Sequence, residues 1–398
     1  MKTLKTAIVG VVALGSLSAL ASGFQVDVHS AKATGMAAAV TGDVNDASAI
    51  YYNPAGIAQG AGVDLYLGDT VIIPSVSFKD SNGVTTSNIA QAIPPPHAYL
   101  TLGIDDMWSF GIGLFEPFGS AVRWPSHWEG SGAVVSTRLV AYDINPTAAV
   151  HLGPVRLGAG VQIVRATLGV TQGLIFPDGE GYSQLGLGAW GVGANAGAQF
   201  EVVPERLSLG ATYRSAVRLN FSGDAAFSGL PVEFSQLAQN QTVSTRITLP
   251  DTASIGIAGK PTEHLRLGFD ADYTSWQHFR ALTFSFPNPA LNQSIAKNWS
   301  HAVSLHLGGQ YSLSEAWDLR AGVMWDPSAA PNSTLAADIP DTSRINLAAG
   351  VGYHFGPFRV DLGYQFLILT STSSTRPDLA GTYSGHANIL SLSGGLHI

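Results

Sequence analysis

The chain contains no cysteine. That excludes thiol nucleophiles, thiolate metal sites and any disulfide framework. Charge is scarce as well: Lys, Arg, Asp and Glu make up 12% of the 398 residues, against about 25% in soluble domains. Beyond the first 21 residues, no apolar run approaches the roughly 20 residues of a helical membrane span. Catalytic signatures are missing too, with no G-x-S-x-G, no H-E-x-x-H and no Walker loop. The histidines are scattered without metal-like spacing. No enzyme activity, metal or other cofactor is therefore expected.

Basic residues are few. Residues 1–21 read as a secretory leader, with Lys2 and Lys5 as its charged start, Ala7 to Leu14 as its apolar centre and Ala19-Leu20-Ala21 as its cleavage site. Without that leader, 18 basic residues stand against 28 acidic ones. Such a balance argues against nucleic acid and against anionic inner-leaflet lipid as partners.

What the chain does have is glycine, 45 of them, and two-residue alternation. From Leu187 to Val202, Trp190, Val192, Ala194, Ala196, Ala198, Phe200 and Val202 share one face. Gly191, Gly193, Asn195, Gly197, Gln199 and Glu201 share the other. Successive strand side chains point to opposite faces, so one face is apolar and the other small or polar. Trp190 and Phe200 are ten residues apart. A strand tilted by about 40° covers roughly 25 Å of membrane over that length, the height of a lipid-facing band between aromatic girdles. The pattern recurs at 207–221, 265–273, 317–325, 345–355 and 358–368. Low charge, abundant glycine and repeated alternation together predict an all-β transmembrane barrel.

Turn spacing sets the strand count. Short connections are expected at Asp105-Asp106, Gly153-Pro154, Pro204 to Arg206, Lys260 to His264, Ser312 to Ala316 and Gly356-Pro357. Longer loops are expected near 80–96, 118–132, 172–186, 223–244, 287–299, 327–342 and 371–385. These six turns and seven loops join fourteen antiparallel strands. An even count with short periplasmic turns places both termini in the periplasm.

The segment ahead of the strands is different. Residues 22–61 are small, Ala-rich and nearly free of basic residues, and they read as a helical plug, or hatch, inside the barrel of residues 62–398. Asp46 or Asn45 is positioned to cap a short helix that ends before Pro54. Asn53 is positioned to cap a second one with Pro54 at its first position. Two helical turns joined by a kink is the plainer reading of the same residues.

Basic residues facing the lumen are candidates for an anionic ligand group. Arg214 and Arg218 fall on the polar face of their strand, and Arg320 and Arg344 on theirs. Arg165 joins them if Val164, Ala166 and Leu168 mark a one-residue phase slip, as a bulge would cause. Arginine binds a carboxylate bidentately. The competing reading pairs these arginines with luminal Asp270, Asp272, Asp318 and Asp361 as lumen filling.

Nine stretches in order carry a family resemblance. They are SGFQV (22–26), DASAIYYNPAG (46–56), WSFGIGLFEPFG (108–119), DINPTAA (143–149), ATYRSAV (211–217), LPDTASIGIAG (249–259), DYTSWQHF (272–279), LRAGVMWDPS (319–328) and IPDTSRI (339–345). In these the chain resembles the long-chain fatty acid transporters of Gram-negative outer membranes, a family that includes uptake channels for toluene and other aromatic hydrocarbons. The resemblance implies a 14-stranded barrel whose hatch carries Asn53, Pro54 and Ala55. It also implies an inward kink of the third strand at Pro117, Phe118 and Gly119, opening a lateral exit. An ordinary strand end at Pro117 is the alternative. Phe24 is then expected near the ligand, with Arg165, Arg214 and Arg218 as further ligand-binding candidates. The implied function is passive uptake of hydrophobic small molecules, fatty acids or related apolar compounds. Partners would be that ligand, outer-membrane lipids, lipopolysaccharide and the barrel-assembly machinery, with the protein a monomer. A toluene-type channel, a general porin and an adhesive barrel are the rival readings. The final Ile398 departs from the aromatic terminus usual in outer-membrane barrels.

Overall fold

The computed structural model describes residues 23–176, 179–232 and 239–398. The leader lies outside them. Fourteen antiparallel strands form the wall. They are β1 (Gly62–Asp80), β2 (Pro96–Gly103), β3 (Trp108–Arg123), β4 (Ser136–Leu152), β5 (Val155–Phe176) and β6 (Gly179–Val203). Then come β7 in two pieces (Leu207–Arg214 and Val217–Ser228), β8 in two pieces (Gln241–Leu249 and Thr252–Gly259), β9 (Leu265–Thr274) and β10 (Ala302–Ser312). β11 (Trp317–Asp326), β12 (Arg344–Phe355), β13 (Phe358–Ser374) and β14 (Gly381–His397) complete it. Each pairs with its sequence neighbour, and β1 closes on β14 from Asp64↔His397 to Asp80↔Gly381. Closure removes every edge, which a wall in lipid requires because nothing there can bond a free N–H or C=O.

The outer face is the apolar one. Trp108, Phe110, Ile112, Leu114, Trp190 and Val192 are all exposed there. All six short turns lie where turn residues interrupt the alternation. Four of the expected loops shrink, the one expected at 223–244 because β7 reaches Ser228 and β8 starts at Gln241. β3 runs past Pro117 to Arg123, and β5 and β6 pair out to Phe176↔Gly179. β13 and β14 likewise extend to Ser374↔Gly381. Those ends are rich in Ser, Thr and Gly, which carry no apolar alternation yet pair as strands above a membrane.

Residues 23–59 fold inside the wall. α1 (Ala31–Thr34) is capped by Ser30, whose hydroxyl accepts from the Ala33 N–H. α2 (Ala49–Tyr52) begins after Ser48 rather than at Asp46. Asp46 instead accepts from the Ser48 N–H and hydroxyl, closing the turn before the helix. Asn53 caps the 3₁₀ turn Pro54–Ile57 through the Ala55 N–H. Its amide also donates to the carbonyls of Thr41 and, in β6, Ala198, each at 3.0 Å.

The wall is cut to receive this segment. A Cβ on Gly158 would collide with the Pro54 backbone, and one on Gly197 with the Asn53 side chain. Polar wall side chains then bond the segment's backbone. Asp270 accepts from Val40 and Thr41 at 2.8 Å each, Gln365 donates to Thr34 at 2.9 Å, and Ser393 accepts from Ala31 at 3.0 Å. The Asp46 carboxyl, buried but facing Lys32 and Arg359, is held well below the usual carboxylate range by those two cations.

Two apolar cores result. One joins hatch residues such as Met36, Ile50 and Ile57 to Tyr66, Tyr99 and Phe115 of the wall. The other fills the loop end of the lumen with Trp124, Trp128, Trp276, Phe279 and Trp299, packed against Leu139, Val164 and Leu219. Lys297, sealed in this layer, binds Asp338 at 2.6 Å and ties two loops together. Gly197→Leu should leave the barrel folded but lift the Asn53 turn off β6. Limited proteolysis should then cut within 31–59 while the heat-modifiable gel shift of the barrel persists.

Candidate functional site

Among the breaks of register in the wall, the one in β3 lies beside a cavity. β3 pairs with β4 in register from Trp108 to Phe115 and again from Phe118 to Arg123, one residue out of step. Glu116 and Pro117 together oppose Tyr142, which makes a bulge. Below the bulge Phe110, Ile112 and Leu114 face outward, whereas all four residues from Phe115 to Phe118 are buried. The strand is therefore bulged and covered over this stretch, where the kink was expected.

On its other side β3 loses its neighbour. β2 pairs with β3 only from Gly103↔Ser109 to Ala98↔Leu114. Pro94, Pro95 and Pro96 precede that stretch, and none of them has an N–H to offer. The upper half of β3 is bonded instead by the N-terminal segment. Gly119 N–H donates to the Phe24 carbonyl and Val26 N–H donates to the Pro117 carbonyl, both at 3.0 Å. Gln25 sits opposite Phe118 as an antiparallel bridge. The triple proline was a readable signal for this opening, although it was assigned only to a loop.

A cavity of about 200 Å³ lies against this opening. Its near wall is Phe24 to Val28 and Glu116, Gly119, Ser120 and Ala121. Its far wall includes Ile72, Ile339, Leu367, Leu369 and Ile389, with Asp341, Arg344, Asn346 and Gln365 at one side. An apolar cavity of about 150 Å³ holds benzene, so this one takes a ring or a short chain. Ala37 and Ala38, at its floor, have φ values of 51° and 63°. Left-handed alanines cost roughly 1–2 kcal/mol each, which the hatch holds in place by packing.

Phe24 is buried at the cavity's edge, its ring 4.5 Å from that of Trp276 and 6.1 Å from that of Phe118. Asp27 accepts from Gln25 and Tyr51, and burial pushes its carboxyl up, with His306 opposing and Asp272 reinforcing. A second cavity of about 40 Å³, lined by Pro117, Phe118 and Arg214, lies across the Gln25 to Asp27 segment from the first.

The arginines distribute differently from expectation. Arg165 lies over the outward Trp190 ring at 5.5 Å and donates to the Ala189 carbonyl at 3.0 Å. Val164, Ala166 and Leu168 are buried in the loop-end core. So β5 does not slip; its inward face turns apolar where the lumen does. The slip lies in β7, at Ser215-Ala216, where the pairing with β6 shifts by one. Above it Val217, Leu219 and Phe221 point inward, and Arg218 is exposed on the outer surface. Neither Arg165 nor Arg218 reaches the cavity.

Arg214 does point inward, but it is engaged. It donates to Asp143 at 2.9 Å and to Gln162 at 3.0 Å, and it lies over the rings of Tyr51 and Phe115. That is the lumen-filling role, tying hatch to wall. Arg344 lines the cavity while its Nε donates to Asp326 at 2.6 Å.

Three comparisons place these features. Residues 12–395 match the family model of the outer membrane protein transport proteins OMPP1/FadL/TodX. The chain is 25% identical to the long-chain fatty acid transport protein of Escherichia coli O6:H1, over 96% of this chain and 94% of that one. It is 26% identical to outer membrane protein P1 of Haemophilus influenzae, over 75% and 71%. A Pseudomonas aeruginosa FadL homologue superposes with a TM-score of 0.84 at 22% identity, covering 94% of this chain and 99% of that one. The Pseudomonas putida toluene transporter TodX does so with 0.73 at 18%, covering 92% and 98%. At such identities these structures establish the fold alone.

Arg214→Ala should leave Asp143 buried without its partner and cost about 3–5 kcal/mol. Urea unfolding of the refolded barrel checks the loss. Binding of an apolar ligand with a carboxylate and of one without should fall alike.

Proposed function

Because the chain belongs to the OMPP1/FadL/TodX family of outer membrane transport proteins, we propose that it takes up hydrophobic small molecules, fatty acids or related apolar compounds, by passive diffusion through the side of its wall. The observation that carries this reading is the apolar cavity set against the half of β3 that β2 does not pair, a stretch bonded instead by residues 24–26. A polar-solute porin needs a water-filled lumen; here the lumen holds two apolar cores and a bonded hatch.

On this reading residues 22–61 act as the gate and 62–398 as the channel body. Phe24 contacts ligand, Asn53, Pro54 and Ala55 anchor the gate, and Pro117, Phe118 and Gly119 frame the exit. On this reading the two ends of the barrel, Val63 and Ile398, which exchange backbone bonds, face the periplasm, whereas Phe24 lies up in the loop-end core and not on the periplasmic side expected of the N-terminus. An apolar molecule leaves water at the loop side, at a gain of about 0.8 kcal/mol per buried CH₂. It then reaches the cavity and passes between β2 and β3 into the membrane. Transport by this route needs partition and a path, and no bond is made or broken.

Planar bilayer recording tests the reading. The intact chain should pass no large steady current, and deletion of residues 23–60 should produce one. Cells carrying the intact chain should take up labelled fatty acid or toluene faster than cells without it. Large steady currents from the intact chain, or no gain in uptake, would discard the proposal.

A further inference from the structure

The charges around the cavity are unbalanced. Among its lining residues Asp27, Glu116 and Asp341 are acidic and Arg344 alone is basic. Arg344 is already bonded to Asp326. Asp341 accepts from the Ala329 and Ala330 N–H groups at 2.7 and 3.1 Å and from Ser328 at 3.0 Å. Asp27 accepts from Gln25 and Tyr51. Glu116 is the exception. It is 2% exposed, yet its carboxyl has no hydrogen bond or ion pair among the described residues. Arg138 on β4 and Asp69 on β1 act on it through space, and among the described residues it forms no ion pair with either. The side chain lies over Gly119 and lines the cavity, at the mouth through which ligand would leave.

A buried carboxyl without a partner carries an unmet hydrogen-bonding demand. Ionised or neutral, it keeps an acceptor oxygen. An ionised ligand carboxylate would bring a further negative charge into a cavity already rich in acidic groups, which costs rather than helps. A ligand hydroxyl would satisfy Glu116 without adding charge. Sites built to bond a hydroxyl discriminate strongly against analogues lacking it, because the site's own polar group is then left unpaired.

Resting on the uptake reading above, we propose that the cavity selects neutral apolar molecules bearing a hydroxyl, alcohols or phenols, whose O–H donates to Glu116, in preference to ionised carboxylates. Glu116 is the specificity-determining residue, and it reads the polar end of the ligand at the exit.

Equilibrium dialysis of radiolabelled p-cresol, toluene and p-toluate tests this on the full chain in detergent micelles, with protein-free micelles as blank. The unaltered chain should bind p-cresol about tenfold more tightly than toluene, and p-toluate most weakly. Glu116→Leu should abolish the p-cresol advantage and leave toluene within twofold. Glu116→Gln, which keeps an acceptor of the same shape, should retain most of it. Equal or tighter binding of p-toluate would overturn the proposal. So would a p-cresol to toluene ratio that Glu116→Leu leaves unchanged, or an equal loss of both ligands. Toluene binding without p-cresol preference sinks this inference alone, whereas no binding of any probe sinks the uptake reading with it.

Discussion

The structure depends on the requirement that no backbone N–H or C=O in the wall be left without a partner. In lipid such an orphan costs several kcal/mol. Closure of β1 on β14 meets that demand almost everywhere. Beside the cavity it is met otherwise, where Pro94 to Pro96 bring no donors and β3 carries the bulge at Glu116-Pro117. There the partners come from the N-terminal segment, through the Phe24 carbonyl and the Val26 N–H. The segment that covers the opening also satisfies its backbone.

That arrangement explains why the hatch is fixed so firmly elsewhere. A cover held only at the opening would leave with the first ligand. Asn53 on β6, Asp270 on the Val40 and Thr41 amides, and Gln365 and Ser393 at α1 hold the body of the hatch on opposite sides of the lumen. Glycines at 158 and 197 let its backbone press directly against the wall. The Arg214–Asp143 pair and the rings of Tyr51 and Phe115 add a further tie. Residues 23–28 are the part joined to the opening itself.

Much of the wall was legible in the sequence because a barrel strand obeys one rule, apolar outward and small or polar inward, for as long as the lumen is polar. Trp190, Phe200, Trp317 and Trp325 follow it and are exposed on the outside. The rule breaks where the lumen turns apolar. Val164, Ala166 and Leu168 look like outward residues and are inward ones, because the loops bring Trp124, Trp276 and Trp299 down to meet them. Once both faces are apolar, alternation carries no phase. Arg165 was therefore assigned to the wrong side, and the real slip at Ser215-Ala216 passed unnoticed. The kink was legible because Pro117 carries its own backbone chemistry. Glu116 belongs to the same stretch, but nothing in the sequence tells that it lines the cavity.

Magnitudes favour a small movement over a large one. Freeing residues 23–28 breaks two backbone bonds to β3 and the bonds they accept from Tyr51, Tyr52, Thr70 and Thr274, at about 1 kcal/mol each net, and uncovers Phe24, at about 1.5–3 kcal/mol. A ligand that buries a ring or a few methylenes in the cavity recovers part of this at about 0.8 kcal/mol per CH₂. Expelling the whole hatch would break its many polar ties and expose Met36, Ile50 and Ile57, each of which contributes about 1.5–3 kcal/mol by burial. No ligand small enough for a cavity of about 200 Å³ supplies that. On the proposed route the retreat of residues 23–28 at β3 is therefore the less costly movement, and Asn53 and its neighbours need not leave their places.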